Sequence, residues 1–138
     1  MKKFKNVLLI DDSISSNQYN RILISELDIA ENIVLVNSAD QALWYLQEKQ
    51  NGSYPTPNLI LLDIAMPQMD GFMFLEEYAK LPPEATNNWS SVLAIVSDHL
   101  DGDNFEKAKQ FKKVGVLEHI KKPLDKEDIV NLIEEHFE

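Results

Sequence analysis

Four short apolar runs punctuate the chain, at residues 7–10, 33–36, 59–62 and 92–96. Each is rich in Val, Ile and Leu, and none alternates apolar with polar residues. A strand with one wet face alternates, whereas a strand covered on both faces reads as an unbroken apolar run. The four runs are therefore expected as strands of a doubly covered sheet. A fifth strand is expected at residues 116–120, where Glu118 and His119 interrupt the run.

Helical spacing fills the intervals. Tyr19, Ile22, Leu23 and Leu27 fall on one helical face. Ser38 followed by Gln41 has the form of a capping box ahead of Ala42, Leu43 and Leu46. Phe72, Leu75 and Tyr78 open a third helix. Phe105, Ala108 and Phe111 mark a fourth, with Gly115 as its stop. Asp125 is placed to cap a last helix whose apolar face is Ile129, Leu132, Ile133 and Phe137. Residues 47–58 and 82–90 read as polar, Pro-containing loops. Strand and helix thus alternate five times. That order implies an α/β, doubly wound parallel sheet with right-handed crossovers and helices on both sides.

The chain has 138 residues, which fits one domain with a core that needs no staples. The expectation is a single domain over residues 1–138, with no repeat and no separate effector domain. Cysteine is absent, which excludes disulfides and thiolate metal sites and fits a cytoplasmic setting. A formal net charge of −10 argues against a nucleic-acid partner. Lys2, Lys3 and Lys5, like Lys107, Lys109, Lys112 and Lys113, read as solvated faces. The opening MKKFKNVLLI is too short for a signal-peptide core, and no stretch approaches the ~20 apolar residues of a membrane helix, so no membrane partner is expected.

The chemistry gathers where the apolar runs stop. In an open parallel sheet, ligands bind beyond the carboxyl ends of the strands. The first run ends at Asp11-Asp12, the third at Asp63, the fourth at Ser97-Asp98, and the fifth at Lys121-Lys122-Pro123. Two carboxylates ~4 Å apart repel by about 4 kcal/mol at an effective dielectric of 20. Several acids on one rim call for a cation, and an all-oxygen donor set favours a hard ion such as Mg²⁺, with Mn²⁺ as a substitute.

Asp11-Asp12, Asp63 with Met66-Pro67 and Asp70-Gly71, Ser97, and Lys122-Pro123 occur in that order. Over nearly its whole length the chain thereby resembles the receiver domain of two-component response regulators. The resemblance implies a flavodoxin-like (βα)5 fold with strand order 2-1-3-4-5, the order found in chemotaxis receivers. It implies Asp63 as the phosphoacceptor, and Asp12, Asp11, Asp63 and the backbone carbonyl of Ala65 as metal ligands. Lys122 pairs with the phosphoacceptor or its phosphoryl oxygens, and the Lys122–Pro123 bond is cis in the family. Ser97 donates to the phosphoryl group, and His119 stands at the aromatic switch position. Met66, Pro67 and Gly71 shape the loop after the third strand, Gly71 by permitting positive φ.

The resemblance further implies a histidine kinase or phosphotransfer protein as donor, and a downstream protein on the face of helix 4, strand 5 and helix 5. Phosphoryl acceptance and self-dephosphorylation are the only reactions expected, not turnover of a separate substrate. The alternative is a receiver-like binding module that works without phosphate. Asp98 departs from the small residue usual beside Ser97 and is placed to hinder access. Ala65 and His99 sit where the family tunes the phosphoryl lifetime. Two other readings fail on local pattern. An aspartate-nucleophile phosphatase needs a second acid two residues after Asp11, where Ser13 stands. A flavin phosphate loop would not begin with two acids, as DDSISS does.

Overall fold

A computed structural model describes residues 4–48, 57–66, 70–82, 86, 91–97 and 102–136, with the side chains at 48, 102–105, 116 and 117 left out. Five strands alternate with helices: β1 (Phe4–Ile10), α1 (Ile14–Leu27), β2 (Ala30–Val36), α2 (Ala39–Glu48), β3 (Leu59–Asp63), α3 (Gly71–Ala79), β4 (Val92–Ser97), α4 (Gly102–Lys109), a 3-10 turn (Lys112–Val114), β5 (Val116–Lys121) and α5 (Lys126–His136). All strand pairs are parallel, in the order β2-β1-β3-β4-β5.

The unbroken apolar runs serve two cores at once. Leu8 and Ile10 of β1, Ile60 and Leu62 of β3, and Leu93 and Ile95 of β4 pack with α2 and α3 on one face. Val7, Leu9, Leu59, Leu61, Val92, Ala94 and Val96 pack with Leu23 and Ile24 of α1 and Ile129, Leu132 and Ile133 of α5 on the other. Successive residues of a strand point to opposite faces, so each run must be apolar throughout. The interrupted β5 is an edge strand, where half-buried Glu118 and His119 still reach solvent. Its register slips by one residue against β4, from Leu93↔Val116 to Ala94↔Glu118.

Several expectations change in the details. The inward face of α1 is Asn17, Asn20, Leu23 and Ile24, while Tyr19 and Ile22 are 47% and 48% exposed. Two asparagines occupy positions that an apolar stripe would take, which shifts the apparent phase of the helix. α4 stops at Lys109, and Gly115 (φ 109°) instead closes the 3-10 turn that follows. Gln41 Oε1 accepts from the N–H of Asn37, one residue before Ser38, while Ser38 Oγ accepts from Gln41 N. The reciprocal box forms at α5, where Asp125 and Asp128 each accept the other's N–H at 3.0 Å. The Phe105 side chain and Phe137 lie outside the described residues.

Candidate functional site

Strand order reverses between β1 and β3: the chain leaves β1 toward β2 on one side and continues from β3 to β4 and β5 on the other. A crevice opens beyond the carboxyl ends at such a point. Asp11 and Asp12 follow β1, and Asp63 is the last residue of β3. One carboxylate oxygen from each lies within 4.8 Å of the others. Asp11 and Asp63 are buried, at 3% and 4% exposure, and Asp12 is exposed.

Backbone and lysine contacts hold these acids in place. Asp11 Oδ1 accepts the Ser13 N–H at 2.9 Å, and Ser13 Oγ in turn caps α1 through Ser16 N. Asp63 Oδ1 accepts the Ala65 N–H at 3.2 Å. Lys122 Nζ reaches 2.9 Å from Asp11 Oδ2 and 3.5 Å from Asp63 Oδ1. The Lys122–Pro123 peptide is cis, and Lys122 N donates to Ser97 O at 2.8 Å. Ser97 ends β4, buried, with Oγ 3.4 Å from His119 Nε2 on β5.

Burial pushes the Asp63 carboxyl up to about 6; the charge of Asp11 adds to the rise and that of Asp12 adds less. Lys122 and the Ala65 N–H pull it back. Three acids facing one ammonium leave the rim with surplus negative charge. A hard divalent cation fits this all-oxygen donor set.

The structure thus gathers Asp11, Asp12, Asp63 and Lys122, and places Ser97 and His119 in a neighbouring pair. Met66 is buried in the same core as Ile64 and Phe72. Gly71 departs from expectation: its φ is not positive, and close approach is what requires glycine. A Cβ there would stand 2.6 Å from Ile64 Cα, and Gly71 N donates to Ile64 O. Pro67, Asp98 and His99 lie outside the described residues. Asn17 was not anticipated. Its Nδ2 donates to Asp11 O at 3.1 Å and Val36 O at 2.9 Å, tying the ends of β1 and β2 beneath the rim. The available signal was a polar residue four places after the Ser13 cap, on the inward side of α1.

A reversing parallel sheet with a carboxylate–lysine site at its reversal defines a flavodoxin-like α/β protein built around a charged rim. Residues 7–134 match the response regulator receiver domain family, and the chain belongs to it. It is 30% identical over 129 residues to the chemotaxis protein CheY of Treponema pallidum, covering 92% of this chain and 78% of that one. It is 27% identical over 128 residues to the two-component response regulator ORR1 of Oryza sativa, covering 91% of this chain. The chain spans about half (52%) the length of that rice relative. A solved two-component response regulator from Cytophaga hutchinsonii superposes with a TM-score of 0.83 at 28% identity, covering 97% of both chains. The family is one of signalling domains, not of enzymes that turn over a separate substrate. Among the described residues no helix is long and apolar enough to cross a membrane.

Proposed function

We propose that this receiver accepts a phosphoryl group on Asp63 and passes the signal on by changing shape. The observation that carries this reading is the meeting of Asp11, Asp12 and Asp63 with Lys122 at the point where strand order reverses. Both Lys122 and the Ala65 N–H address Oδ1 of Asp63, so Oδ2 is the attacking oxygen. It forms a bond to phosphorus as the P–N bond of a donor phosphohistidine breaks, and the leaving imidazole takes up a proton. Such transfers depend on alignment and charge neutralisation more than on a strong base.

Asp12, Asp11, Asp63 and the Ala65 carbonyl would hold Mg²⁺, which when bound offsets charge on the incoming phosphoryl oxygens. Lys122 is close enough to Asp63 to turn from the carboxylate to those oxygens. Ser97 would donate its hydroxyl to them and give up its contact with His119, changing the surroundings of that ring. The population of states on the face of α4, β5 and α5 would then shift toward one that a downstream protein binds. Ile14, at 67% exposure two residues from Asp12, presents an apolar side chain beside the site and suits a protein donor, a histidine kinase or phosphotransfer protein. The proposed setting is the cytoplasm.

Incubation with acetyl phosphate and Mg²⁺, read by intact mass and peptide mapping, tests the reading. One labile phosphoryl group on Asp63, absent from Asp63→Asn, is the expected result. No adduct, together with no spectral response to beryllofluoride, would leave the phosphate-independent binding module as the better description.

A further inference from the structure

A second group of metal-ligating side chains lies apart from the acidic rim. Glu118 projects from β5, and Glu135 and His136 from the last turn of α5. One ligand atom of each lies within 4.8 Å of the other two. His136 Nε2 stands 3.2 Å from Glu118 Oε1 and 3.8 Å from Glu135 Oε2. A tetrahedral ion with bonds of ~2.0–2.1 Å sets its ligand atoms roughly 3.3 Å apart. The two separations bracket that spacing, so little movement is needed to close around an ion.

The donor chemistry points the same way. One imidazole nitrogen with two carboxylate oxygens is a donor set for zinc and its neighbours, unlike the all-oxygen rim. The side chains of His136 and Glu118 are 18% and 31% exposed, so packing orients them, while Glu135 is open to solvent at 58%. A hollow of about 220 Å³ beside them, lined in part by Glu118, Lys121, Asp128, Asn131 and Glu135, has room for a further ligand.

We propose that Glu118, Glu135 and His136 form a binding site for a divalent transition cation, with Zn²⁺ the best fit, that clamps β5 to the C-terminal turn of α5. The site stands independently of the phosphoacceptor reading. Its position gives it a consequence, because Glu118 immediately precedes His119, which touches Ser97. An ion there holds β5 and α5 in one arrangement and is thermodynamically coupled to anything else that moves β5.

The test titrates Zn²⁺ into the purified full chain against a zinc-selective chromophoric chelator, with excess Mg²⁺ to occupy the rim. Wild type, Asp12→Asn, Glu118→Gln and His136→Ala are compared, each checked for folding by circular dichroism. Wild type and Asp12→Asn should bind zinc alike, and Glu118→Gln and His136→Ala should weaken binding at least about tenfold, the scale of losing a ligand or its support. In wild type, zinc should move the His136 ring resonances, a readout that needs no variant. Zinc binding unchanged in both site variants, zinc uptake lost in Asp12→Asn alone, or a His136 ring that does not respond would each overturn the proposal, leaving a plain Glu118–His136 contact.

Discussion

Lys122 leans on Asp11 more closely than on Asp63: its Nζ lies 2.9 Å from Asp11 Oδ2 and 3.5 Å from Asp63 Oδ1. One ammonium therefore bridges the acids that end two neighbouring strands. Removing it leaves buried carboxylates facing each other, a change that typically costs about 3 kcal/mol. Lys122→Met should lose about that much stability at pH 8 by urea unfolding. The deficit should shrink toward pH 5, as Asp63, already raised to about 6, takes up a proton. An equal deficit at both pH values would count against the bridge.

Asp63 itself opposes folding near neutral pH. Its carboxyl moves from 3.8 to about 6, mainly through burial and the charge of Asp11. Between these values the folded chain holds a proton that the unfolded chain has released, so stability falls as pH rises through this window and is flat above it. Asp63→Asn should be more stable than wild type at pH 8 by about 3 kcal/mol, with the gap closing near pH 4. Thermal or urea unfolding across that range checks the sign, and a less stable Asp63→Asn at pH 8 would show that Lys122 outweighs burial.

Gly71 lets α3 start directly against the end of β3. A methyl group there meets Ile64 Cα at 2.6 Å and Asp63 O at 3.1 Å, both backbone atoms that cannot rotate away. Gly71→Ala should cost about 2 kcal/mol, within the range for overpacking. It should also weaken Mg²⁺ binding, because the displaced backbone carries Asp63. Urea unfolding and calorimetric Mg²⁺ titration read the two effects.

Ser97 and His119 should respond as a pair. Beryllofluoride with Mg²⁺ is expected to shift the His119 ring resonances in wild type. Ser97→Ala should keep its Mg²⁺ affinity yet lose most of that shift, since the hydroxyl 3.4 Å from Nε2 is the link. A full His119 response in Ser97→Ala would place the coupling elsewhere.

Much of the fold was legible because the sheet is covered on both faces. Strands such as β3, whose five residues are all buried, have no polar alternation to offer and stand out as apolar runs. The acids that end those runs were legible for the same reason, since a carboxylate directly after a buried strand marks the point where the chain emerges. α1 was harder. Asn17 and Asn20 face inward, and a reading based on apolar periodicity turned the helix toward Tyr19 and Ile22. Buried amides that bond to backbone carbonyls look polar in a sequence, whatever their surroundings.

By itself, the sequence determined the alternation of strand and helix, the parallel sheet, and the set of acids, hydroxyl and lysine at the strand ends. Those follow from local periodicity and from where apolar runs stop. The tertiary structure decided that Lys122 rests on Asp11, that Ser97 meets His119, and that Glu118 meets Glu135 and His136. Each of these pairings joins residues on different elements. Its distance depends on strand register, on the one-residue slip between β4 and β5, and on how each helix packs, none of which a local pattern of polar and apolar residues encodes.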